Sequence, residues 1–357
     1  MKRALLIIIL LFLLVPLCGC TLFPSKARGV ERLLVVQAMG VDTVGDRVEL
    51  SLLSSADSAR GEGPVRLHGS GVTISDAAED ILSRANEEEL FCAHTGYVLV
   101  GEESAQALGA VLRYVCRSRE IRMDVPLYLV RGESAETALL RTGEERVGAV
   151  ELLDALSAAA PQRSGETPPS VSRIAAELNE RGCALLAALA CEPSSEGSEG
   201  ETPLTLAPAG YAVISDGGLL GFLEQEDVAA LDLLRESRGV HAFTVTDREG
   251  RRVTLQTAPG QSRKSLLRGE DGAPRSLELA ISLSASIAEL DGMQVADDAA
   301  YADELGALLE REILLRAGRL VQLQKRFGAD FLGCGELPLR LAVSVRISHS
   351  NDLREGT

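Results

Sequence analysis

Cys20 is the residue with the clearest chemical assignment. It closes the tetrapeptide Leu17-Cys18-Gly19-Cys20, which follows a basic start at Lys2-Arg3 and an apolar run from Ala4 to Leu17. A short basic stretch, an apolar centre and small residues before a cysteine make a bacterial signal peptide, and this tail resembles a lipobox. A Cys20 thiolate is a soft nucleophile that can take a diacylglyceryl group as a thioether. Gly19 leaves the bond before it open to the peptidase. Residues 1–19 are then predicted to be removed. The competing readings are an uncleaved anchor and plain secretion. Counted through Cys20, the apolar stretch is 17 residues long, the short limit for a span. Two acyl chains hold a protein stably at a membrane, whereas one does not.

The remaining residues of chemical interest form no catalytic set. Beyond Cys20 lie Cys92, Cys116, Cys183, Cys191 and Cys334, an odd number with no CxxC spacing. They read as buried free thiols, with a Cys183–Cys191 bridge as the lesser alternative. The four histidines, His68, His94, His241 and His349, show no ligand spacing, and His94 reads as a structural residue in the middle of a strand. No GxSxG, HExxH, P-loop or dinucleotide fingerprint occurs. No metal site and no cofactor are therefore predicted. Arg117-Ser118-Arg119-Glu120-Ile121-Arg122-Met123-Asp124 alternates in sign. It reads either as an internally paired connection or as a partner-docking loop through Arg119, Glu120 and Arg122, because the arginine fork suits interfaces.

Composition narrows the function further. The 357 residues carry 52 acids against 36 bases, a net charge of −16, which loss of Lys2 and Arg3 takes to −18. Such a surface repels nucleic acid. It is also mildly repelled by an anionic membrane, so anchoring falls to the lipid. Trp is absent and aromatics are 3%, which leaves few platforms for bases or sugars.

The elements that must carry these residues are mixed. Leu33–Val41 and Arg47–Ser54 read as a hairpin about Val44-Gly45-Asp46. Thr73–Leu90 reads as a helix opened by Thr73-x-x-Asp76, Phe91–Gly101 as a strand, Glu102–Arg117 as a helix and Val125–Val130 as a strand. Helical patterns at 133–141, 147–159 and 170–181 precede a strand at Ala184–Ala190. The second half offers a hairpin around Ser215–Gly218, a helix at Glu224–Glu236, strands at 240–247, 251–258 and Ser276–Leu290, a long helix at Asp297–Phe327 and a last strand at Leu337–Ser348. The fold class is α+β, with two to three mixed domains after the signal peptide. Pro193–Pro203 has linker composition. The predicted division is 1–19 signal, 20–30 lipidated tether, 31–192 N-terminal domain, 193–206 linker and 207–357 C-terminal domain.

Several stretches, in order, resemble one family. They are the lipobox, Met39-Gly40-Val41-Asp42, His94 to Glu103, Arg117 to Asp124, Leu127 to Ala135, Gly210 to Val213, Asp216 to Leu223, and Gln324 to Gly333. Together they are similar to the Ger(x)C family, the lipoprotein C subunits of nutrient germinant receptors. The chain departs from the family pattern in having Thr21-Leu22 after the cysteine, and in entering its last strand directly through Gly335–Pro338. The resemblance implies mixed α/β domains and no catalytic residues. It also implies lipid anchoring at Cys20 on the outer face of the spore inner membrane, and assembly with polytopic A and B subunits. The bottom-up alternatives are a substrate-binding lipoprotein of a transporter, which needs a ligand cleft, and an envelope hydrolase, which needs a catalytic constellation.

Overall fold

A computed structural model describes residues 33–54, 64–84, 89–141, 143–144, 147–164, 167–194, 204–216, 218–235, 239–290, 299–335 and 337–348. Cys20, the signal peptide and the tether lie outside the described residues.

The first unit is built on one nine-stranded sheet. Its strands are β1 (Leu33–Val44), β2 (Arg47–Ser54), β3 (Arg66–Gly71), β4 (Glu89–Phe91), β5 (Tyr97–Gly101), β6 (Leu127–Arg131), β9 (Cys183–Pro193), β10 (Leu204–Ser215) and β11 (Gly218–Leu223). The order is β11-β10-β9-β6-β5-β1-β2-β3, with β4 also on β1. β1, β5, β6 and β9 run parallel in its centre, and antiparallel hairpins extend both sides. A small separate hairpin joins β7 (Gly143–Glu144) to β8 (Val147–Gly148).

Helices α1 (Ile74–Arg84), α2 (Leu108–Arg117) and α5 (Val171–Arg181) cover one face of this sheet, where Met39, Val98, Val100 and Leu127 meet Ile81, Val111 and Ile174. Helices α3 (Ala135–Leu140) and α4 (Ala149–Ser164) cover part of the other, where Leu99, Tyr128 and Val130 meet Leu139 and Leu153. Burial on both faces explains why the central strands are apolar without alternation. Thr73 and Asp76 form the expected capping box. The Asp76 N–H donates to Thr73 Oγ1 and the Thr73 N–H to the Asp76 carboxylate, each at 3.1 Å.

The second unit pairs β12 (Ala242–Thr246), β13 (Arg252–Thr257), β14 (Gln261–Arg268), β15 (Pro274–Leu290) and β16 (Leu339–Ile347). Helix α7 (Ala299–Phe327) returns the chain from β15 to a parallel β16, and α6 (Val228–Leu234) packs beside it. Leu305, Leu309, Ile313 and Ala317 of α7 are buried at the spacing read from the sequence. Cys183, Leu185 and Val213 of the first sheet join the same core, so the second unit packs directly on the β9–β10 end of the first.

The stretch read as a linker joins two strands that pair, and three expectations of element type or bounds change. β9 and β10 pair with each other from Pro193↔Leu204 to Cys183↔Ser215, so the stretch between them connects neighbours in one sheet. The sheet runs on to Leu223, well past the predicted linker at 193–206. A polar, Gly/Ser-rich composition serves a hairpin connection as well as a linker. The helix expected over Thr73–Leu90 ends at Arg84, and β4 begins at Glu89. His94 sits in a 3₁₀ turn at Cys92–His94, its ring 5.7 Å from Phe91, because the run read as one strand breaks between β4 and β5. The first turns of the helices expected at Glu102 and Glu224 are 3₁₀, at Glu102–Ala107 and Gln225–Asp227.

Candidate functional site

The run Gly40-Val41-Asp42 has an architectural use. Asp42 ends the buried run of β1, and its carboxylate accepts from the N–H groups of Ala135 and Glu136, both at 2.9 Å. Ser134 caps the same helix, its Oγ accepting from the Thr137 N–H at 3.0 Å. Burial raises the Asp42 pKa, against the amide hydrogen bonds that lower it. A side chain at Gly40 would lie 3.0 Å from Leu139 Cδ1, and one at Gly101 would strike the Asp42 carboxylate. β1, β5 and α3 therefore lock at one point. Around it, the carboxyl ends of β1, β5 and β6 leave a cleft of about 500 Å³ lined by Asp42, Glu102, Glu103, Ser104, Glu133 and Ser134. Glu102 is engaged there, accepting from the Gly132 N–H at 2.7 Å.

The loop 117–124 leaves α2 on the opposite face. Ser118 Oγ accepts from the N–H groups of Glu120 (3.2 Å) and Ile121 (3.0 Å), which folds the loop tightly. Ile121 and Val125 are buried and pin it to the core. Glu120 accepts from the Cys92 N–H at 3.4 Å. Arg122 makes a forked pair with Asp124, Nε to Oδ1 at 2.8 Å and Nη2 to Oδ2 at 2.6 Å. The pairing holds the Arg122 pKa up and the Asp124 pKa down. Arg119 is exposed and forms no ion pair among the described residues. The internally paired reading describes Arg122 and Asp124. Arg122 is paired internally, and Arg119 points its charge at solvent. Arg119, Glu120 and Arg122 are brought together on one short loop, and Cys20 lies outside the described residues.

Sequence reasoning missed what stands beside this loop. Arg113 and Arg117 on α2 flank an open groove of about 500 Å³ between α2 and the start of α1. The signal was the i, i+4 arginine pair, which the apolar stripe of the same helix overshadowed.

The other candidates fall into place as structure. All five described cysteines are free. Cys183 and Cys191 sit at opposite ends of one strand, about 26 Å apart at strand rise, so they cannot bridge. Cys183 and Cys334 are buried as expected, but Cys116 is exposed because it falls on the outer side of α2. His68 Nε2 lies 3.0 Å from a Glu49 oxygen. His241 is buried, and desolvation lowers its pKa to about 4. Among the described residues no cluster of His, Cys, Asp and Glu could hold a metal.

Ionic contacts hold the segment that leads from β11 into α6, on one side to β6 and on the other to α7. Arg131 makes a forked pair with Glu224 (2.8 and 3.0 Å) and stacks 4.5 Å from the centre of the Phe222 ring. Arg319 of α7 pairs with Glu226 and lies 3.4 Å from Asp227.

Comparison with known proteins agrees with this architecture. The N-terminal domain of spore germination proteins matches residues 26–190, and the C-terminal domain described as spore germination B3/GerAC-like matches residues 209–340. The gap between the two matches falls at the β9–β10 connection. No curated protein matches the chain in sequence. A crystal structure of the GerBC protein is similar in fold, with a TM-score of 0.54, 14% sequence identity, and coverage of 87% of this chain and 96% of that one. With both family regions present in order over most of its length, the chain belongs to the Ger(x)C family of spore germination proteins.

Proposed function

We propose that the chain is the lipid-tethered, non-enzymatic C subunit of a nutrient germinant receptor. In this reading Cys20 carries the diacylglyceryl anchor on the outer face of the spore inner membrane, and the folded units assemble with the polytopic A and B subunits. The observation that carries it is the pair of family regions, in order and together spanning both units. The lipobox at Leu17–Cys20 supports the anchor. Tethering confines the domains beside their membrane partners and raises their effective concentration, so contacts that are weak singly can hold a complex. The loop carrying Arg119, Glu120 and Arg122 is the proposed contact, because it is rigidly held and offers charge outward.

The test is nutrient-triggered release of dipicolinic acid from spores that lack other nutrient receptors. The parent, a deletion strain and a Cys20→Ala strain are compared. Both altered strains are expected to fail with nutrient and still respond to a surfactant that bypasses receptors. Normal nutrient germination of the deletion strain would overturn the receptor reading. Normal germination of Cys20→Ala alone would overturn the anchor.

A further inference from the structure

We infer that the groove between the start of α1 and α2 is the seat of an acidic segment of a partner polypeptide, one carrying an apolar anchor among its carboxylates. The inference rests on the receptor-subunit reading and names the chemistry of the contact.

The groove has the two features such a segment needs. Its floor is apolar, formed by Val48, Ile74, Ala110 and the Tyr114 ring, with Val72 beside it at 69% exposure. A β-branched side chain so open to water is covered at little cost by a partner's apolar group. Its rim is cationic. Arg113 and Arg117 stand one turn apart on α2, both exposed, and neither forms an ion pair among the described residues. Like charges at this spacing slightly disfavour a helix, so the arrangement brings the isolated chain nothing. Arg119 continues the charge onto the following loop.

Lack of pairing is informative in a chain with 52 acids and 36 bases. Elsewhere in the same unit Arg84, Arg122, Arg131 and Arg173 each find a carboxylate. No acid lines the groove, and Asp76, next in sequence to its Ser75, is committed to the Thr73 N–H of the α1 cap. The rest of the acidic surface repels a negative partner, so this stripe both attracts the segment and sets its register. A flat anionic bilayer is a poorer match, because the site is concave and the chain as a whole is negative.

The experiment uses the full lipoprotein co-expressed with its two polytopic subunits, solubilised in mild detergent and purified through a tag on the lipoprotein. Arg113→Glu/Arg117→Glu is expected to lower recovery of the polytopic subunits at least tenfold. Arg113→Lys/Arg117→Lys should retain most of it. Val72→Ser should lower it severalfold without changing any charge. Arg340→Glu/Arg346→Glu, on exposed positions of β16, should leave it unchanged. Circular dichroism and thermal midpoints of the purified variants separate lost docking from lost folding. Parental recovery in a folded Arg113→Glu/Arg117→Glu variant overturns the groove, as does an equal loss in the β16 variant. A parent lipoprotein that recovers neither subunit overturns the receptor reading and the groove with it.

Discussion

The two sheets solve the problem of a buried face in different ways. In the first, consecutive residues of β5 are both inside: Leu99 faces α3 and α4, and Val100 faces α2. In the second, alternate residues part company. Leu283 and Ala285 of β15 are buried under α7, while Ser282 and Ser284 are exposed. β16 repeats the pattern, with Leu341, Val343 and Val345 turned inward and Arg340, Ala342 and Ser344 outward. A parallel sheet with helices on both sides cannot afford polar positions, whereas a largely antiparallel sheet with one wet face requires them. The first unit is therefore sensitive to substitution on either face, and the second on one.

Adjacent substitutions break that comparison most directly. Leu99→Ala and Val100→Ala should each destabilise the chain, by about 3.5 and 2.5 kcal/mol, since each opens a cavity in a filled core. Leu283→Ala should cost about 3 kcal/mol and Ser284→Ala less than about 0.5 kcal/mol. Denaturant midpoints measure all four. A large loss from Ser284→Ala would mean that the outer face of the second sheet is covered.

Asp42→Ala should cost about 3 kcal/mol, because two amide donors at the start of α3 lose a charged acceptor. Hydrogen exchange should show the loss first in α3 and the end of β1. If protection there is unchanged, the lock between β1, β5 and α3 is not what holds that edge.

Acid sharpens the comparison with a smaller effect. His241 is held neutral by burial, with its pKa lowered from 6.5 to about 4. The folded state then binds fewer protons than the unfolded one between these values, so stability falls with pH, by about 2 kcal/mol at pH 5. Asp247 adds to this further down. Burial alone would raise its pKa, but hydrogen bonds from the Arg251 side chain and N–H, the Tyr301 hydroxyl and the Glu249 N–H outweigh it and hold the value at about 2. Its contribution is present above pH 3.8 and is lost as pH falls toward 2. Asp42 has the opposite sign: its raised pKa means stability lost as pH rises, not as it falls. Exchange measured at pH 7 and pH 5 should therefore show the second unit loosening first. His241→Phe should remove most of the difference between pH 7 and pH 5.

The sequence made the capped and alternating elements easy to read, and for a physical reason. Thr73 and Asp76 signal a helix start through local bonds, and the i+4 stripe of α7 or the alternation in β12 and β13 records a single buried face. β14 carried no such record. Gln261–Arg268 is exposed along nearly its whole length and is held by its ladder to β15, so neither face leaves an apolar trace. The acidic stretch after Pro193 does not by itself tell a connection between paired strands from a linker between domains, because both need the same solubility. The loop 117–124 was legible as charge, but its division into a paired Arg122 and an open Arg119 depends on the turn that Ser118 folds and on Cys92, which only the fold brings near.

The position of β1 has a mechanical meaning. It is the first described strand after the residues that lead from Cys20, and it lies inside the sheet, bonded to β2 on one side and to β4 and β5 on the other. A pull along that strand from the membrane side meets both ladders in shear, so many hydrogen bonds must yield together. Were the first strand at an edge, the same load could peel it away one bond at a time. With the lipid anchor proposed at Cys20, tension arriving at Leu33 would pass into the body of the sheet before it reached the 117–124 loop or the second unit.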